Sequence, residues 1–127
     1  MLTQHDRPQL WAILDESVIR RVVGGPAVMK VQLERLVAAG AEGRTTIQVI
    51  PYRADVHPGL AGPFIMLGFD EPTEPDLVYL ETVGGNLYVD KPEEARLFAT
   101  AFDHLRAAAL SPSDTRAMLR AAADELR

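Results

Sequence analysis

The sequence predicts an α/β fold of the α+β kind: a mixed sheet of about five strands with helices packed on it. Three observations lead there. Short segments rich in branched and aromatic residues recur along the chain and close on polar or charged residues. They are Leu10-Trp11-Ala12-Ile13-Leu14 before Asp15-Glu16, Thr46-Ile47-Gln48-Val49-Ile50 before Pro51-Tyr52-Arg53, Phe64-Ile65-Met66-Leu67 with Gly68-Phe69-Asp70, and Leu77-Val78-Tyr79-Leu80-Glu81. A helical periodicity separates the first two segments, whereas loops separate the rest. The C-terminal part then reads as two helices. The expected order is β-α-β-β-β-(β)-α-α.

Residues 1–8 are polar and form a lead-in, and the first strand follows at residues 10–15. Gly24-Gly25-Pro26 is a turn, with Pro26 suited to the first turn of a helix, where its missing N–H is not needed. Met29, Leu33, Leu36 and Val37 recur at helical spacing and predict an amphipathic helix over residues 27–41, which Gly40 and Gly43 weaken and end. The second strand, residues 46–50, stops at Pro51. Residues 52–62 form a loop, the third strand spans 64–69, and the acidic, proline-punctuated stretch 70–76 is a solvated connection. The fourth strand is 77–82, and Gly84-Gly85-Asn86 turns into a short strand at 87–89.

Asp90 and Glu93 are spaced as a capping pair with Pro92 in the first turn, and Phe98, Ala101, Phe102, Leu105 and Ala109 mark one apolar face. Ser111-Pro112-Ser113-Asp114 restarts the helix: Ser111 caps, Pro112 takes the first position and Asp114 favours the positive end of the dipole. Thr115, Met118, Leu119, Ala122 and Leu126 form the last stripe. That stripe either faces the core or is offered to another subunit, which leaves a homodimer open. The first two strands, joined through a helix, are expected to be parallel, and the later ones, joined by loops, antiparallel.

With 127 residues the chain is expected to be one domain, 1–127, long enough to bury a core. It has no cysteine, which excludes disulfides, a thiolate nucleophile and thiolate metal ligands. No apolar run approaches the roughly 20 residues that span a bilayer, and residues 1–12 do not form a signal peptide, so the expected compartment is the cytoplasm. The net charge of −5 argues against nucleic-acid binding by these residues alone, because non-specific affinity for phosphates comes from clustered Lys and Arg.

The candidate chemistry is sparse. His57 stands in a loop with Gly59 and Gly62, where a ligand can approach the backbone closely, although an exposed turn histidine is the plainer reading. His5 and His104 lack the spacing to join it in a metal site, so no metal and no cofactor are expected. Asp15-Glu16 and Glu81 close strands, and paired carboxylates do acid–base work when burial separates their pKa values; capping or solvated groups are commoner. No Gly-x-Ser-x-Gly is present, and Gly24-Gly25-Pro26 lacks the Lys-Ser/Thr of a phosphate loop. If the first two strands are parallel, the ends of strands one and two share an edge. A fourth strand antiparallel to the third, itself antiparallel to the second, returns Glu81 to that edge. Glu16, Arg20, His57, Gly59 and Glu81 then line one ligand- or partner-binding region.

A family resemblance rests on dense motifs. Leu10-Trp11-Ala12-Ile13-Leu14-Asp15-Glu16, Arg20-Arg21, Val23-Gly24-Gly25-Pro26, Val28-Met29 and Gln32-Leu33-Glu34-Arg35-Leu36 are followed by Thr46-Ile47-Gln48-Val49-Ile50-Pro51, His57-Pro58-Gly59-Leu60-Ala61-Gly62-Pro63-Phe64, Val78-Tyr79-Leu80-Glu81 and the run from Phe102 to Pro112. Together they resemble the C-terminal domain of actinobacterial XRE-type helix-turn-helix regulators of the WhiJ-like or antitoxin-like group. The resemblance implies a regulator whose DNA-reading helices lie upstream of these residues, an excised domain that receives a signal, and small BldB-like partner proteins encoded beside it. It carries over no established site. A second, weaker similarity is to one half of a phospholipase D-like domain, in the order of helix, strand ending in Val49-Ile50-Pro51, two strands, then Asp90-Lys91-Pro92-Glu93. That superfamily needs a Lys two residues after its His; here Gly59 stands there, and no Lys occurs from residue 42 to 89.

The expectation is therefore a non-enzymatic regulatory domain that binds a small partner protein and so controls the DNA-binding helices. Its rivals are a domain of the same regulator that senses a small-molecule effector, and a cryptic phosphodiesterase-like enzyme. A closed polar cavity near His57 and Glu81 favours the small molecule, and an exposed apolar strip favours the protein.

Overall fold

The computed structural model describes residues 9–54, 64–67, 77–82 and 85–126. Along the chain run β1 (Leu10–Asp15), α1 (Glu16–Arg20), α2 (Pro26–Gly40), β2 (Thr45–Ile50), β3 (Phe64–Leu67), β4 (Leu77–Thr82), β5 (Gly85–Val89), α3 (Pro92–Ala108) and α4 (Pro112–Glu125). Contacts divide them into two compact units, one of Met1–Asp55 with Ala109–Arg127 and one of Val56–Ala108.

In the first unit β1 and β2 pair in parallel, from Leu10 opposite Thr45 to Asp15 opposite Ile50. The connection through α1 and α2 supplies the long crossover that parallel strands require. The single-turn α1 was not legible in the sequence; the Asp15 carboxylate starts it by accepting from the Ser17 N–H at 3.0 Å. Gly24 and Gly25 take φ values of 80° and 90° ahead of Pro26, which opens α2. Ile19, Met29, Leu33, Val49, Leu119, Ala122 and Ala123 form the core, with Leu14, Leu36, Val37, Met118 and Leu126 packed on it. Helices α2 and α4 thus bury the apolar stripes read from their spacing.

β2 is buried over four successive residues, Ile47 to Ile50, as a strand covered on both faces must be. Its second edge is closed by the start of α4. The Val49 C=O accepts from the Leu110 N–H at 2.9 Å. The Val49 N–H donates to Thr115 Oγ1 at 3.0 Å. Ser111 caps α4, its Oγ accepting from the Asp114 N–H at 3.0 Å, with Pro112 in the first position.

The second unit is an antiparallel meander, β3-β4-β5, with α3. One sheet face carries Phe64 and the fully buried Val78, and Phe98 of α3 packs edge-on against Phe64 at 5.2 Å. Tyr79 and Tyr88, directly opposite in register, meet at 5.2 Å on the other face.

The mixture of parallel and antiparallel pairing is as the sequence suggests, but the single mixed sheet of about five strands is corrected. Among the described residues the strands form a two-stranded and a three-stranded sheet. On the second edge of β2, the backbone groups of Val49 are taken by Leu110 and Thr115, far along the chain, and not by another strand.

Candidate functional site

The carboxyl edge of the parallel pair is where the sequence placed a polar region. β1 and β2 do end there together, with Asp15 opposite Ile50. Asp15 spends its carboxylate on the α1 cap, and the next residue, Glu16, turns back under the edge. Only 9% of Glu16 is exposed. Its Oε1 accepts from the Tyr52 N–H at 2.8 Å. Its Oε2 pairs with Arg20 Nε at 3.0 Å, one helical turn on. Arg20 reaches further, with Nη1 3.5 Å from Glu125 Oε2 at the end of α4.

Both oxygens of Glu16 are therefore engaged within the unit. The group holds the chain leaving β2 against the start of α1, and Arg20 extends that tie to α4. A carboxylate so used is a bracket across the strand ends rather than a group turned outward to a ligand.

Of the five residues proposed from sequence, the structure brings Glu16 and Arg20 together. Glu81 lies in the second unit, in β4, opposite Asn86 of β5. His57 and Gly59 lie outside the described residues. Among the described residues no group of three or more His, Asp or Glu side chains could hold a metal ion.

A second polar node went unnoticed in the sequence. Gln48, 7% exposed in the middle of β2, accepts from Trp11 Nε1 at 2.7 Å through Oε1. Its Nε2 donates to the Leu110 C=O at 2.9 Å. One amide thus ties β1, β2 and the entry to α4. Its signal was available: a lone polar residue inside an apolar strand that must find partners once buried.

Between α2 and α4 lies a cleft of about 550 Å³ with Lys30, Glu34, Arg120 and Asp124 around Val37 and Ala123. The charges alternate along each helix, and none closes an ion pair among the described residues. It is a solvated seam beside the core.

The apolar surface is more distinctive. Val28 and Val31 of α2 are 59% and 67% exposed, and Val22 and Val23 before the Gly24-Gly25 turn are 47% and 64% exposed. In the second unit, Ile65, Leu67 and Tyr88 are also exposed. By register, Ile65 and Tyr88 share the sheet face of Tyr79. Among the described residues no helix is long and apolar enough to cross a membrane.

Residues 1–121 match the protein-family model described as Domain of unknown function (DUF5753). Neither the curated proteins nor the solved structures contain a match to this chain.

Proposed function

Because the chain belongs to the DUF5753 family, a domain of unknown function, we propose its role from the sequence resemblance taken together with its own surface: a non-enzymatic, partner-binding regulatory domain of an XRE-type helix-turn-helix transcriptional regulator of the WhiJ-like group. It binds a small protein of the BldB-like kind, and that binding controls a separate DNA-reading domain. The observation that carries this reading is the exposed apolar strip of Val22, Val23, Val28 and Val31. Exposed apolar surface on a folded domain marks an interaction site, and an open strip suits a protein partner better than a small molecule, whose sites are concave. The strand end points the same way, since Glu16 is satisfied by Tyr52 and Arg20 rather than lining an open polar cavity.

Co-expression of the chain with the small protein encoded beside its gene tests the proposal. The expected result is one complex that co-elutes in size-exclusion chromatography and gives a saturable calorimetric titration of the separately purified partners. Separate elution with no heat of binding would falsify it.

A further inference from the structure

We infer that the outer face of α2, with the turn before it, is a docking surface for an acidic amphipathic helix of a partner protein, and that Arg21 and Arg35 read its charge. This rests on the partner-binding role proposed above and adds where the partner sits and what its chemistry is.

The starting point is that α2 is apolar on two sides. Met29, Leu33, Leu36 and Val37 turn to the core. Val28 and Val31 lie outside that stripe, and Val28, Val31 and Arg35 follow one another at helical spacing on the outward side. A helix apolar on two faces is normally covered on both. The turn before the helix comes close to its outer side at Gly24. A Cβ on Gly24 would stand 2.9 Å from Val28 Cγ1, and the exposed Val22 and Val23 directly precede that glycine in the chain.

The two ends of the strip carry the same charge. Arg21 precedes Val22 and Arg35 follows Val31 by one turn; both are exposed, and neither joins an ion pair among the described residues. Glu34, the nearest acid on α2, lines the cleft toward α4 instead. An apolar strip flanked by two unpaired arginines complements a helix whose apolar stripe is edged with Asp or Glu. A second copy of the chain fits poorly. An isologous pairing sets strip against strip and brings arginine against arginine.

The test uses two labelled synthetic helical peptides, one with leucines on one face and glutamates on the other, and the same peptide with lysine at each glutamate. Fluorescence anisotropy against the full chain should show the glutamate peptide binding at least about tenfold more tightly. Val31→Asp should weaken it about tenfold, and Arg35→Glu should abolish the preference. Both positions are exposed, so melting temperatures should hold. Equal binding of the two peptides, no binding of the glutamate peptide, or indifference to Val31→Asp overturns the inference. So does a concentration-dependent dimer that Val31→Asp dissolves. Repeating the co-elution with the gene-neighbour protein separates the two readings. A partner retained equally by Val31→Asp removes this surface but leaves the partner-binding role, whereas a partner that never binds removes that role whatever the peptides do.

Discussion

Glu16 shows how one carboxylate at a strand end can be structural without being buried in an apolar core. Its two oxygens serve different purposes: Oε1 satisfies the Tyr52 N–H, and Oε2 pairs with the partly exposed Arg20. A stranded backbone donor costs about 1–3 kcal/mol, whereas an exposed ion pair contributes about 0–1 kcal/mol. Glu16→Ala is therefore expected to lower unfolding stability by about 1–3 kcal/mol, and Arg20→Ala by no more than about 1 kcal/mol. Urea denaturation of the two variants measures both. Equal losses would place the weight on the ion pair and not on the Tyr52 contact. Gln48 belongs to the same class of residue, since its amide joins Trp11 to Leu110 and no apolar side chain of similar size replaces both bonds.

Among the elements, α2 depends on the turn that starts it. Gly25 is the residue ahead of Pro26 and sits at φ 90°, ψ 163°, a region open in practice to glycine alone. No atom outside its neighbours lies within 4 Å of a Cβ built there, so a substitution is resisted by backbone conformation and not by crowding. Gly25→Ala is expected to cost about 1–3 kcal/mol in a thermal or denaturant melt, with α2 otherwise intact by circular dichroism. A neutral result would mean that the turn relaxes to another conformation. The start of α4 is built differently: Ser111 caps it and Thr115, wholly buried, lends its hydroxyl to β2. A helix terminus here doubles as the edge of a sheet.

Taken together, the 127 residues carry a net charge of −5. The arginines beside the valine strip are a local exception within an acidic chain. Phosphate contacts supply most non-specific nucleic-acid affinity, and an acidic chain offers few. At physiological salt, gel shifts and fluorescence polarisation are expected to find no sequence-dependent binding of duplex DNA by this chain alone. A tight, sequence-selective complex would refute the assignment of DNA reading to a separate domain. The two compact units each have their own sheet and buried apolar residues, Leu33, Val49 and Leu119 in one and Val78, Ala95 and Leu105 in the other.

What the sequence determined by itself follows from local rules. Strand and helix positions were legible in alternation, spacing and punctuation: the strand at Leu77–Thr82, the Ser111-Pro112 start of α4, and the core stripe of Met29 and Leu33 all depend on neighbours within a turn or two. The parallel pairing of β1 with β2 was legible as well, because the crossover length demands it. The partition into two sheets was not, because it turns on Leu110 and Thr115 reaching Val49 across some sixty residues of chain. Of the candidate site, the grouping of Glu16 with Arg20 was legible from their place at the end of the first strand, but neither the helical turn that pairs them nor the Tyr52 N–H that occupies the other oxygen was. Helical spacing already set Val28 and Val31 off the core stripe, but only the packing of α2 against α4 and β2 shows that no other part of the described chain covers them. Propensity and periodicity report what a residue prefers locally, while exposure and hydrogen-bond partners are set by which distant segments occupy the available edges and faces.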